Sequence, residues 1–150
     1  MKFMREALKI AKQSGEDLPI GAVIMRDGKV LAKAHNKKEA KNDVTAHAEM
    51  LVIQSAQRKL KTSILDDCEI YITLEPCPMC AWAILNARIP KVYFGAYDTV
   101  YGSLGTAIDL RDYMKSKTDV VGGILEEECS HMLTKFFKEL RIRNKAEKEL

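Results

Sequence analysis

Apolar residues recur at Phe3, Ala7, Leu8, Ile10 and Ala11, a spacing that puts them on one face of a helix which Ser14 and Gly15 then close. The period changes at GAVIMRDGKVLAKA, where two β-rich runs flank Asp27-Gly28, a pair tolerant of positive φ and suited to a hairpin turn. Helical spacing returns from about 46 to 60 and fades in the polar KLKTS. EIYITL reads as a strand, β-branched and aromatic, stopped by Pro76; Pro78 suits the first turn of a helix over about 79–88. KVYFGAY is a further strand, and the loop over 98–105 leads to a shorter helix. DVVGGIL reads as a strand, and LEEECSHMLTKFFKELRIRNK as a long amphipathic helix. Helices alternate with strands and neither linker nor repeat interrupts them. The pattern predicts one α/β domain over 1–150, three layers α/β/α around a central mixed five-stranded sheet, ending in a basic helix over about 125–148.

Composition narrows the function. The 150 residues, 47% hydrophobic and 30% charged, suffice for a core that buries an active site. Lys+Arg 24 against Asp+Glu 21 leaves only +3, a weak whole-molecule field for attracting nucleic acid. The opening MKFMREALKI breaks its apolar residues with charges, unlike a signal peptide, and no run of ~18 apolar residues offers a membrane span. The expectation is a soluble, cytoplasmic protein with no membrane partner. In that compartment four cysteines stay reduced, which favours metal binding or catalysis over disulfides.

Two short stretches carry chemistry. TAHAEM places His47 and Glu49 at the head of an apolar helix, and EPCPMC places Cys77 and Cys80 three apart at the head of the next. Partial positive charge and free N–H groups at a helix N-terminus favour thiolates, the form that binds zinc. If the two helices lie side by side on one sheet, His47, Cys77 and Cys80 converge on a tetrahedral centre with one place left for water. Three protein ligands plus water is the pattern of catalytic zinc. Glu49, two positions on, points roughly 200° away from His47 at ~100° per residue and is not a fourth ligand on the same face. From the first turn it can still reach water beyond the helix end and move its proton, as zinc lowers the water's pKa toward ~7. Taken singly, these residues have plainer readings: a redox dithiol or structural half-site for the cysteine pair, a packed helix-end histidine for His47. Cys68 and Cys129 read as core residues, and His35 and His131 lack ligand spacing.

Together, H-x-E followed by P-C-x-x-C is the signature of zinc nucleobase deaminases. With LPIGAVI at 18–24, Asn36, TAHAE, YITLEPCPMC, ARI at 87–89, VYFGAYD at 92–98 and a closing pattern of GGIL, EC and FF, the chain resembles the bacterial tRNA-specific adenosine deaminases of the cytidine deaminase-like superfamily. The likeness runs from the first helix almost to the C-terminus. It implies a cytidine deaminase-like fold and one Zn2+ per chain, held by His47, Cys77 and Cys80. It further implies hydrolysis of the wobble adenosine of a tRNA anticodon stem-loop to inosine, with Glu49 as catalytic proton shuttle at C6 of a flipped adenine, in a homodimer. Asn36, Ile20 and Asp98 match substrate-contact positions of the family. Asn36 also suits a turn after a strand, Asp98 a loop cap, and Ile20 ordinary core packing.

The chain departs from the family pattern at several positions. Tyr97 and Val100 stand where the family has an arginine before the loop acid and a lysine after it, removing two potential phosphate contacts. Tyr97 and Tyr101 are placed to stack on unpaired bases instead, worth ~1–3 kcal/mol per base, or to pack in a dimer. Val44 replaces a common proline, and Trp82 a small residue in the metal helix, where it is expected to alter a subunit contact or pocket wall. From 135 to 150 six basic residues outweigh three acids, a tail suited to an RNA backbone or to plain solvation. Phe136 and Phe137 are adjacent and cannot share one helix face. Two other readings stay open: a deaminase of a free nucleobase or nucleoside of guanine or cytosine type, and a non-catalytic zinc-stabilised nucleic-acid-binding protein.

Overall fold

Asp27 and Gly28 turn the chain with φ of 52° and 74°, joining β1 (Gly21–Arg26) to β2 (Lys29–His35) in an antiparallel hairpin. The computed structural model describes residues 1–149. β3 (Cys68–Leu74) pairs antiparallel with the other edge of β1, then β4 (Lys91–Ala96) and β5 (Asp119–Val121) add in parallel. The result is the expected mixed five-stranded sheet, in the order β2-β1-β3-β4-β5.

Helices cover both faces. α2 (Ala48–Leu60) and α3 (Pro78–Asn86) bury Val52, Ile53, Ala56, Ile84 and Leu85 against Ile24, Ile70, Ile72 and Val92. On the other face α1 (Lys2–Ala11) and α5 (Glu126–Lys148) bury Met4, Ala7, Leu8 and Cys129 against Val23 and Ala96. Alternate residues of β1, Val23 against Ala22 and Ile24, divide between the two cores, as the two-residue period of a strand requires. α5 approaches β4 so closely that a Cβ on Gly95 would collide with Cys129 Sγ. Cys68 and Cys129 are both buried in these cores, as read.

Strand direction decides where the chemistry gathers. β3 and β4 are parallel, so the segments that follow them emerge at one end of the sheet. β1 runs against β3, which brings its first residue, and Ile20 before it, to that same end; β2 runs against β1, which returns Asn36 there too.

Three boundaries differ from expectation. α2 starts at Ala48, because His47 keeps extended backbone at φ −72°, ψ 151°. α3 ends at Asn86 and the chain reverses at Arg88, whose φ is 60°. DVVGGIL yields only a three-residue strand: the chain leaves the sheet at Gly122 and Gly123, the latter at φ 82°. A Cβ at Gly122 would collide with the Phe94 ring, 2.5 Å away. The short helix after the 98–105 loop is α4 (Arg111–Met114), a single turn.

Candidate metal centre

His47 and Cys77 are N-cap residues, of α2 and α3 respectively, and Pro78 presets the first turn of α3. Both caps lie at the sheet end described above, so the positive ends of two helix dipoles point at one spot. There the Sγ atoms of Cys77 and Cys80 lie 3.7 and 3.5 Å from His47 Nδ1. The three ligand atoms all fall within 4.8 Å of one another.

These distances are those of a zinc site. Ligands at about 2.3 Å for sulfur and about 2.0–2.1 Å for nitrogen, with tetrahedral angles, stand about 3.6 Å apart. Hydrogen bonds from Cys80 and His47 hold the Cys77 thiol down at about 4, while burial opposes them. The bond to Cys77 and burial both drive the Cys80 thiol up. His47 is raised, first through its bond to Cys77, against a lowering by burial. A divalent cation held by His47, Cys77 and Cys80 would supply the charge that suits two thiolates and a neutral imidazole.

Glu49 is 4% exposed, and its Oε1 has no hydrogen-bond partner among the described residues. Burial pushes its carboxyl up to about 7, and it lies beside Cys80. A buried carboxylate with one oxygen left unpartnered is costly to keep, so its presence beside three ligand atoms fits a centre that brings a metal and water. The angular argument from helix geometry does not govern this pair, because His47 precedes the helix and its backbone is extended.

His47 opens onto a cavity of about 640 Å³, walled by Ile20, Asn36, Tyr101, Phe136 and Leu140 with Arg143 at its rim. Of the expected substrate contacts, Ile20 and Asn36 line this cavity. Asn36 is buried and largely committed: its Nδ2 donates to Leu18 O at 3.2 Å and its Oδ1 accepts from Lys38 N–H at 3.1 Å. Asp98 is turned to the chain, where Oδ1 accepts from the N–H groups of Val100 and Tyr101, both at 2.9 Å, and so fixes the turn that carries Tyr101 to the cavity. Phe136 borders the cavity and Phe137 is 44% exposed. Trp82 is not among the residues that line this cavity and is 44% exposed on α3.

Two acids that sequence reasoning passed over hold the cavity's loops. The Asp17 carboxylate accepts from Glu39 and Ala40 N–H at 2.7 and 3.1 Å. Glu75, 2% exposed, accepts from the N–H groups of Asp98 and Leu104, both at 3.3 Å, and of Thr106 at 3.1 Å. The one local signal for Glu75 is an acid directly after the apolar end of β3.

Residues 1–96 match the family described as the cytidine and deoxycytidylate deaminase zinc-binding region. The chain is 47% identical over 148 residues to a tRNA-specific adenosine deaminase of Bacillus subtilis (strain 168), covering 96% of this chain and 92% of that protein. A solved structure from studies of A-to-I editing by tRNA:A34 deaminases at the wobble position of transfer RNA is 40% identical, with TM-score 0.79 over 88% of this chain and 99% of the other. The guanine deaminase of Bacillus subtilis is 38% identical, with TM-score 0.64 over 75% of this chain and 73% of its own. The chain belongs to the cytidine and deoxycytidylate deaminase zinc-binding family, among its tRNA-specific adenosine deaminase members.

Proposed function

We propose that the protein hydrolyses adenosine at the wobble position of a tRNA anticodon, giving inosine and ammonia. The observation that carries this reading is the site itself: three ligand atoms at zinc spacing, beside a buried carboxylate with one oxygen unpartnered, with His47 on the wall of a cavity sized for a nucleoside. Likeness to the Bacillus subtilis tRNA deaminase over nearly the whole of both chains supports the substrate class.

A zinc ion held by His47, Cys77 and Cys80 would lower the pKa of a water molecule toward neutrality and so supply the nucleophile. Glu49 takes one proton from the attacking water and delivers it to a purine ring nitrogen. It then takes the second from the added hydroxyl and delivers it to the amine, which leaves as ammonia, so one carboxylate serves as base and as acid. Ile20 and Phe136 hold the flipped base between apolar walls. Asn36 keeps one amide hydrogen and one lone pair beyond its two backbone bonds, and these face the nucleoside. Asp98 acts at one remove, through the turn that presents Tyr101 for stacking against a neighbouring base. The whole chain serves as one deaminase domain acting in the cytoplasm. It works as a homodimer, for which Trp82 on α3 and Ile108 and Tyr113 around α4 supply exposed apolar surface. No helix among the described residues is long and apolar enough to cross a membrane.

Incubation with unmodified tRNAs, followed by sequencing for A-to-G reads, is expected to find inosine at the wobble position alone. Glu49→Ala should cut that turnover ~10²–10⁴-fold while keeping its zinc. The likeness to guanine deaminase favours a second reading, a free-base deaminase. Ammonia from guanine, without inosine in any tRNA, selects it. Full turnover by Glu49→Ala removes Glu49 from the mechanism.

A further inference from the structure

α1 and α5 lie side by side and run in the same direction. Arg5 pairs with Glu128 at 3.8 Å, and past the end of α1 Glu16 pairs with Arg143 at 3.9 Å. Between the helices runs a groove of about 640 Å³, floored by Leu8 and Met132 and walled by Arg5, Lys9, Lys12 and Lys135. Glu128 is the acid among its lining residues, and it is tied to Arg5. Among the described residues, Lys9, Lys12 and Lys135 enter no ion pair.

A crevice between two packed helices is ordinarily closed by apolar side chains. Here like charges from both helices share one crevice, and they repel until an anion neutralises them. The groove also leads somewhere: Lys135 walls it, while the next residue of α5, Phe136, walls the catalytic cavity. Lys12, the residue after α1, precedes Glu16 and Asp17 on the cavity's own wall. A nucleotide flipped into the cavity leaves the phosphates of its strand outside it, within reach of a basic groove whose lining adjoins the cavity's along α5.

We infer that the α1/α5 groove binds the phosphate backbone of the substrate RNA beyond the reacting nucleotide, with Lys9, Lys12 and Lys135 as a sequence-independent contact. The identity of the polyanion rests on the tRNA reading above; the groove's affinity for phosphates does not. This contact supplies, from another layer of the fold, charge that Tyr97 and Val100 do not provide beside the loop acid. It predicts an RNA affinity set by salt, since each single-strand phosphate neutralised contributes about 0.7 to the slope of log K against log salt.

The test compares a groove variant, Lys9→Gln/Lys12→Gln/Lys135→Gln, with a control, Lys29→Gln/Lys91→Gln/Lys117→Gln. The control removes the same charge from exposed positions at the far end of the sheet. Binding of an unmodified tRNA is read by fluorescence anisotropy over a range of NaCl concentrations, alongside zinc content and inosine formation. The groove variant should bind about tenfold more weakly near physiological salt, with a salt slope smaller by about 2. Its zinc content and its kcat at saturating RNA should match the parent, so the loss falls on KM. The control should keep parental affinity and slope. A groove variant with parental Kd and slope overturns the inference, as does a control that loses as much. If the parent forms no inosine yet the groove variant alone loses affinity and slope, the groove stands and the deaminase reading falls.

Discussion

Glu75 shows how much can rest on one carboxylate outside the reacting centre. Its two oxygens collect three backbone N–H groups from residues 98, 104 and 106, and the next residue but one is Cys77 of the candidate metal centre. A Cβ on Gly102 would sit 2.5 Å from its Cδ, so the loop folds down onto it without clearance. Glu75→Gln keeps the shape but exchanges one acceptor oxygen for an amide donor aimed at N–H groups, a loss of about 1–3 kcal/mol. The expected variant retains zinc, melts lower, shows faster amide exchange over 98–106, and has a raised KM for RNA because Tyr101 is no longer held. Parental exchange protection across that loop would remove Glu75 from its support. The contrast with Glu49 marks the limit of reading residues in order. That His47, Cys77 and Cys80 come together with Glu49 beside them was legible because the H-x-E and C-x-x-C spacings each place their side chains at one helix head. Glu75 sits in the same EPCPMC stretch and was missed, because its partners come from after β4 and only the parallel pairing of β3 with β4 brings them near.

At the scale of elements, periodicity located α1, α2, α3, α5 and β1 to β4, because each buries one face and the sequence repeats that face. It overran where burial stops deciding. DVVGGIL has strand composition, yet Gly122 and Gly123 release the chain after three paired residues. α4 is the opposite case, a four-residue helix with no buried side chain, held by charge. Arg111 donates to both Asp109 oxygens, at 2.7 Å from Nη2 to Oδ2, and to Thr118 O at 3.0 Å, all partly shielded from solvent. The Arg111 bond holds the Asp109 carboxyl below its ordinary value, against a smaller rise from burial. A carboxyl lowered on folding stabilises above its unfolded pKa of about 3.9, and that stability drains as pH falls through the folded value. Arg111→Met should therefore cost about 1–2 kcal/mol at pH 7, roughly 2–8 °C in Tm for this chain length. The difference from the parent should shrink as pH drops below about 4. A gap in Tm that stayed constant down to pH 3 would assign the loss to packing instead.

For the molecule as a whole, strand direction turns dispersed residues into a site. The segments before β1 and after β2, β3 and β4 all open at one end of the sheet, where α2 and α3 also begin. No local pattern states which end that is, so the cavity's full lining, Leu140 and Arg143 included, was not legible, although the grouping of His47, Cys77 and Cys80 was. The same geometry makes zinc a fastener as well as a reagent. It would join His47 to Cys77 and Cys80, 30 and 33 positions on, tying the heads of two helices on one core. A ligand that binds only the folded state at about 1,000 times its Kd adds about 4 kcal/mol. For a chain of this length each kcal/mol is worth about 2–4 °C, so chelation should lower Tm by roughly 8–16 °C, measured by calorimetry at pH 7.5. The sign with pH follows from the ligands. Both sulfurs bind as thiolates and the imidazole as neutral base, so metal binding releases protons and acid opposes it. The Tm difference between zinc-loaded and chelated protein should therefore narrow steadily from pH 7.5 to 5, and restoring zinc at pH 7.5 should recover it. Equal melting with and without chelator at pH 7.5, in protein shown to carry one zinc per chain, would mean that the helix heads are held by their cores alone.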